Sequence, residues 1–261
     1  MEISLYQIDA FASELFKGNP AAVCPLEEWL PDETMQSIAE ENNLSETAFF
    51  LPTLNGFHIR WFSPKGEVDL CGHATLATAY VLFNILGYKR EKIEFDSRSG
   101  LLLVTKSNDR IILDFPSQPP VLCDIPNEII RAFDIAPIEC LKSEDYIAVF
   151  EREIDIESAK PNLNQLAKLD LRGVIITAKS SKYDFIARFF APKYGIPEDP
   201  VTGSAYTQIA PYWASKKGIN RFSVKQVSLR GGELTCEIVD NRVLISGKAI
   251  KYFEGKINIV T

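Results

Sequence analysis

A chain of 261 residues, 46% hydrophobic and 24% charged, has the make-up of an ordinary globular protein, with length for one large domain or two of about 130 residues. A net charge of -7 argues against a nucleic-acid groove, and the longest apolar run, near positions 74–86, is too short and too interrupted by Thr75, Thr78 and Asn84 to span a bilayer. Five scattered cysteines without a C-x-x-C pattern point to reduced thiols in a cytoplasmic protein, and two histidines, His58 and His73, cannot build a multi-histidine metal site, so no metal is expected.

In chain order, Ile3 to Ala10 alternates like a strand and carries an acid just before it, which sets it apart from a signal peptide. The turn through Phe16-Lys17-Gly18-Asn19-Pro20 combines a residue free to take positive φ, an Asx side chain and a fixed φ, and Ala21 to Cys24 resumes as strand. A helix opens at Pro31, with Asp32 and Glu33 at its positive end, and stops at Asn42-Asn43. Leu44 to Phe50 follows as a strand that puts Leu44, Glu46 and Ala48 on one side, so Glu46 sits among apolar neighbours. From Gly72 to Leu86 the pattern is apolar nearly all round, which predicts a helix at the centre of a domain, stopped by Gly87. Residues 92–115 read as a three-strand meander, and Pro116, Pro119 and Pro120 mark a boundary between units 1–116 and 117–261, with the last strand free to return to the first unit. The second unit is expected to hold short helices near 127–133 and 163–168, strands at 145–150 and 173–178, and a helix over 203–217 that Pro211 should kink or deprive of one hydrogen bond. Gly231-Gly232, Asp240-Asn241 and Gly247 read as turns between closing strands.

The chain also echoes itself. Phe57-His58-Ile59-Arg60-Trp61-Phe62-Ser63-Pro64-Lys65 and Phe185-Ile186-Ala187-Arg188-Phe189-Phe190-Ala191-Pro192-Lys193 agree at Phe, Arg, Phe, Pro and Lys in one register, about 130 residues apart, which suggests two similar units. After each copy comes a glycine-opened helix, at Gly72 and at Gly203-Ser204. The first amides of a helix lack internal partners, so a cleft with these two helix starts on it would bind an anion.

Each candidate residue has an ordinary alternative. Glu46 fits a solvated or structurally paired strand residue, His73 a packed structural histidine, and Asp199, before Pro200, a turn former. Cys71 at a helix start is open to a depressed pKa, although a small buried hydrophobe is the commoner role. The functional reading gains from the matched positions in two copies: a carboxylate in a partly dry cleft can take a proton and return it.

Four stretches then carry a resemblance: Phe16-Lys17-Gly18-Asn19-Pro20-Ala21-Ala22-Val23, Asn43-Leu44-Ser45-Glu46-Thr47-Ala48-Phe49, Val68-Asp69-Leu70-Cys71-Gly72-His73-Ala74-Thr75 and Glu198-Asp199-Pro200-Val201-Thr202-Gly203-Ser204-Ala205. In this order over nearly the whole chain, they resemble the phenazine-biosynthesis PhzF-like family. The resemblance implies an α/β, diaminopimelate epimerase-like fold, with two pseudo-symmetric units that each wrap a curved mixed sheet around a central helix. It implies a cofactor-independent isomerase acting on a small carboxylic acid, often as a homodimer. By the same resemblance Glu46 is the acid/base that moves a proton between carbons, His73 and Asp199 hold and polarise the substrate, and Asn19, Gly72, Gly203 and Ser204 bind it. A cysteine-type epimerase of the same architecture needs a second thiol, which Asp199-Pro200-Val201-Thr202-Gly203 does not supply. A non-catalytic small-molecule-binding protein of this fold is the other alternative.

Overall fold

A computed structural model of the chain describes residues 1–259 and divides it into two compact units, Met1–Asp114 with the C-terminal stretch from Ser246, and Phe115–Ile245. The first unit contains β1 (Glu2–Ala10), β2 (Asn19–Pro25), α1 (Asp32–Asn42), β3 (Glu46–Pro52), β4 (Phe57–Ser63), β5 (Gly66–Val68), α2 (Gly72–Tyr80), β6 (Lys92–Ser97), β7 (Gly100–Ser107) and β8 (Arg110–Pro116). The second runs through β9 (Val121–Leu122), α3 (Asn127–Ala132), β10 (Glu139–Lys142), β11 (Tyr146–Val149), α4 (Glu153–Glu157), α5 (Leu163–Leu166), β12 (Val174–Lys179), β13 (Phe185–Ala191) and β14 (Ile196–Asp199). It continues with α6 (Tyr206–Lys217), β15 (Arg221–Gln226), β16 (Gly232–Val239) and β17 (Arg242–Gly247). The last strand, β18 (Ala249–Asn258), pairs antiparallel with β1.

The strand pairings of the two units follow one rule. In the first unit β1 and β2 are antiparallel, β2 and β3 parallel, β3 and β4 antiparallel, β4 and β6 parallel, β6 and β7 antiparallel. In the second, β10 and β11 are antiparallel, β11 and β12 parallel, β12 and β13 antiparallel, β13 and β15 parallel, β15 and β16 antiparallel. The strands that begin at Phe57 and Phe185 occupy the same place in each succession, so the echo in the sequence is an echo in topology.

Side-chain alternation decides what each face of the first sheet meets. Ala22, Cys24, Phe49 and Phe62 join Met35, Ile38 and Ala39 of α1 in one apolar cluster, and the opposite parity faces α2, whose residues Gly72 to Ala79 are all buried. A helix with no exposed side has to be enclosed, and α2 packs on β1, β2, β3 and β18. Fully burying Leu76 alone contributes about 1.5–3 kcal/mol. The predicted helix over 72–86 is not α-helical throughout. Its last turn, Val81–Ile85, is a π-helix closed by the Leu86 N–H on the Val81 carbonyl at 2.9 Å, and Gly87, at φ +69°, ends it.

The second central helix also departs from expectation. Gly203–Ala205 forms a 3₁₀ turn, and α6 proper starts at Tyr206. Pro211 leaves the Thr207 carbonyl without its helical donor, and the Gln118 N–H takes that place at 2.9 Å. The helix therefore runs through to Lys217. Trp213 stacks on Phe185 and donates to Thr177 Oγ1 at 3.0 Å, which locks α6 on β12 and β13.

Gly247 is not a turn glycine. A Cβ there would stand 2.4 Å from the Phe11 ring, so the residue is small because an aromatic edge fills the space. Gly18 does combine both demands: its φ is +66°, and a Cβ would meet the Ala10 carbonyl oxygen at 2.1 Å. Among the described residues, no helix is long and apolar enough to cross a membrane.

Candidate active site

In the first unit the constrained turn at Gly18 delivers Asn19 to the first position of β2, and Ser45-Glu46 opens the parallel strand β3. Ala21 lies across from Glu46 in that pairing, and the parity that sends Phe49 toward α1 sends Glu46 toward α2. Cys71 caps α2, and His73 lies in its first turn. Three elements thus converge on one ring.

The geometry is close. Glu46 Oε2 stands 3.0 Å from His73 Nε2, and His73 Nδ1 lies 3.2 Å from Asn19 Nδ2. Ser45 Oγ donates to Asn19 Oδ1 at 3.0 Å, and Cys71 Sγ is 3.5 Å from Nδ1 and 4.0 Å from Nε2. Glu46 is 9% exposed, yet Oε2 makes no hydrogen bond of acceptable geometry, so the contact with His73 is an ion-pair approach without a directed donor. A buried carboxylate oxygen left this way is costly for a structural residue and useful for one that must receive a proton.

Burial opposes the His73 imidazolium, but the adjoining Cys71 sulfur and the Glu46 carboxylate outweigh it and hold its pKa well above the ordinary histidine value. The orientation of the Asn19 carboxamide follows from its hydrogen-bond network; turning it over exchanges a donor for an acceptor at Nδ1, with the Ser45 hydroxyl able to follow. Neutral and charged rings both fit. Burial, with repulsion from Glu46 second, pushes the Cys71 thiol up to about 11, so the helix start does not make it a thiolate near neutral pH.

Asn19, expected among the substrate-binding residues, is fully buried, with its carboxamide engaged by His73 and Ser45. Gly72 is buried in the first turn of α2 beside His73.

In the second unit β14 ends at Asp199, and Thr202 Oγ1 donates to Asp199 Oδ2 at 2.6 Å. Gln226, 1% exposed on β15, accepts from the Thr202 N–H at 2.9 Å and donates to the Asp199 carbonyl at 2.8 Å, with the Tyr206 hydroxyl 3.3 Å from its Oε1. One glutamine therefore fixes the loop between Asp199 and Gly203. Ser204 receives a hydrogen bond at Oγ from Arg172 Nη1 at 3.1 Å, and Arg172 is anchored by Asp145, a fully buried carboxylate that also accepts from Gln208 Nε2 at 2.7 Å. Sequence reading passed over Gln226, Arg172, Asp145 and Gln208, because nothing local marks a strand glutamine or a loop arginine as a partner of residues distant in the chain. Ser45 and Thr202 were within quoted motifs and could have been singled out as hydroxyls next to carboxylates. A surface recess of the first unit, lined by Tyr80, Asn84, Lys106, Asp109 and Lys248, lies at the other end of α2 from His73 and contains none of the predicted residues.

The fold is that of the diaminopimelate epimerase-like proteins, and a predicted epimerase of Pseudomonas aeruginosa matches it with a TM-score of 0.76 at 20% identity, covering 99% of this chain and 100% of that one. At 48% identity over 259 residues, 99% of this chain and 100% of the relative, the chain is similar to an uncharacterized isomerase of Pseudomonas aeruginosa. The crystal structure of a phenazine biosynthesis protein of the PhzF family from Enterococcus faecalis matches with a TM-score of 0.97 at 46% identity, covering 99% of this chain and 100% of that one. Residues 8–255 fit the model of the PhzC-PhzF, phenazine biosynthesis-like proteins, and the chain belongs to this family.

Proposed function

We propose that the chain is an isomerase that moves a proton between carbons of a small carboxylic-acid substrate, with Glu46 as the single group that takes and returns it. The observation that carries this reading is the Glu46 Oε2 atom, buried, without a directed hydrogen bond, and 3.0 Å from His73 Nε2. His73 supplies positive charge beside Oε2, which has no directed donor and is the oxygen assigned to take and return the substrate proton. Asn19 acts through His73 as a positioning residue. From the second unit, Asp199, Gly203 and Ser204 are assigned to the polar groups of the substrate, with Thr202, Gln226 and Arg172 supporting them. Gly72 contributes its backbone N–H at the start of α2.

The substitution Glu46→Gln preserves shape and tests the proposal. It is expected to abolish turnover while ligand affinity stays within about tenfold, or about 1.4 kcal/mol. Unchanged turnover would remove Glu46 from this role, and lost affinity without lost turnover would make it a binding residue.

A further inference from the structure

The sequence carries no C-x-x-C pattern, yet strand register in the second unit sets two thiols against each other. β9 and β10 are antiparallel, with Leu122 opposite Leu141 and Val121 opposite Lys142, and the same register continues to put Cys123 opposite Cys140. The Cys123 N–H donates to the Cys140 carbonyl at 3.0 Å, which ties the two backbones at that point. Both residues are free thiols, both side chains turn to the apolar cluster of the second unit, and the two thiols interact directly as hydrogen-bonding neighbours. We infer that Cys123 and Cys140 form an oxidation site, at which a peroxide joins them reversibly in a cross-strand disulfide.

The backbone is spaced for such a bond. Hydrogen-bonded partners on antiparallel strands have Cα atoms about 5.5 Å apart, within the range of about 4.4–6.8 Å that disulfides bridge. Opposed Cβ atoms in a ladder stand about 4.5–5.5 Å apart, against about 3.8 Å in a disulfide. The closure needed is about 1 Å. Cys123 can supply it, because it follows the last residue of the two-residue β9 and is not held inside a longer ladder. Among the described residues the other three thiols are placed differently. Cys24 and Cys236 are fully buried, and burial alone raises the pKa of each. Cys71 lies against the His73 ring.

Unequal exposure sets the order of events. Cys123 is partly exposed, whereas Cys140 is 2% exposed, and burial, with the neighbouring Cys123 second, pushes the Cys140 thiol up to about 12. Hydrogen peroxide therefore meets Cys123 first. The Cys123 sulfur attacks one peroxide oxygen, the O–O bond breaks, and a sulfenic acid and one water result. The Cys140 sulfur then attacks the Cys123 sulfur; the S–S bond forms, the S–O bond breaks, and the departing hydroxide leaves as water with the Cys140 proton. Two thiols are oxidised by two electrons and one peroxide is reduced to two waters. A pair reduced at rest and joined only under oxidant fits the transient, redox-responsive disulfides of reducing compartments.

The site involves none of the residues assigned to proton transfer, so the two readings stand or fall separately. The test uses the full-length protein, reduced, freed of reductant and treated with a small excess of hydrogen peroxide. Thiol titration in denaturant should then find two fewer thiols in the monomer, and dithiothreitol should restore them. Trypsin cuts after Arg131, between the two cysteines, so a non-reducing peptide map of the wild type should show the Cys123 and Cys140 peptides joined, two hydrogens lighter than their sum. In Cys140→Ser, dimedone should trap the sulfenic acid on Cys123. Unchanged thiols, a disulfide through another cysteine, or Cys123 carried to the sulfinic acid while Cys140 stays free overturns the site. A joined pair with no dimedone label on Cys123 in folded Cys140→Ser overturns the order of attack.

Discussion

The two copies of the repeated strand show what in this protein is scaffold and what is chemistry. In the first, Arg60 grips Glu67 through two hydrogen bonds of 2.7 Å and lies over the Phe62 ring; in the second, Arg188 grips Glu198 at 2.6 and 3.0 Å and lies over Phe190. The second copy reaches its glutamate later because a 3₁₀ turn, Pro192–Tyr194, and Gly195 at φ +76° extend the hairpin that Gly66 closes in the first. The Arg–Glu clamp is thus a shared device for holding a strand to its successor. The segments beyond it diverge. In the first unit the helix starts at once and brings Cys71 and His73 to Glu46, whereas in the second a 3₁₀ turn intervenes and the carboxylate that precedes it, Asp199, is restrained by Thr202. A common frame carries the buried Glu46, Cys71 and His73 cluster in one half and a hydrogen-bonding loop in the other.

If that division is right, substitutions on the two sides of it differ in kind. Glu46→Gln should lower turnover by at least about 10³-fold, about 4 kcal/mol in the barrier, with a thermal midpoint close to that of the parent. A midpoint that collapses with activity would make Glu46 scaffold. Arg188→Ala should destabilise by about 3 kcal/mol, since it strands Glu198 and the Ile156 and Ala159 carbonyls that Arg188 also serves. Arg60→Ala should destabilise less, about 2 kcal/mol, because its third partner, Asp32, is exposed and loses little to water. Urea titration of both variants checks the order, and equal or reversed losses would break the comparison. Gly247→Ala, which drives a methyl into the Phe11 ring, should lose about 1–3 kcal/mol by overpacking without a change in the chemistry of Glu46.

The smallest effect concerns pH. The His73 pKa is raised in the folded protein, so its stabilising contribution is complete below the ordinary value of 6.5 and fades as pH rises from there toward the elevated folded value. Urea midpoints measured over that window should fall with pH, and His73→Gln should flatten the dependence; a slope that His73→Gln leaves intact assigns it to other groups.

Much of this was legible beforehand for identifiable reasons. The alternation of Phe, Arg and Phe announced the repeated strand because both copies bury their aromatics and clamp through arginine, and the all-apolar run after Gly72 announced an enclosed helix. What stayed hidden depended on long-range partners or on backbone energetics. The π turn at Val81–Ile85 and the 3₁₀ turn at Gly203–Ala205 differ from an α-helix by one residue of hydrogen-bond register, which composition does not encode. Pro211 looked disruptive because Gln118, which satisfies the carbonyl it frees, lies far away in the chain. Gly247 looked like a turn because the Phe11 ring that fills its missing side chain is equally remote. The thiol of Cys71 could not be assigned a charge until its burial was known.

The most direct trial is solvent-deuterium exchange over a panel of cyclic and amino carboxylic acids, with the wild-type protein and Glu46→Gln compared at equal concentration. A compound that gains carbon-bound deuterium with the wild type and none above background with Glu46→Gln is the predicted result. Label that accumulates equally with both proteins would contradict a single carboxylate as the proton carrier.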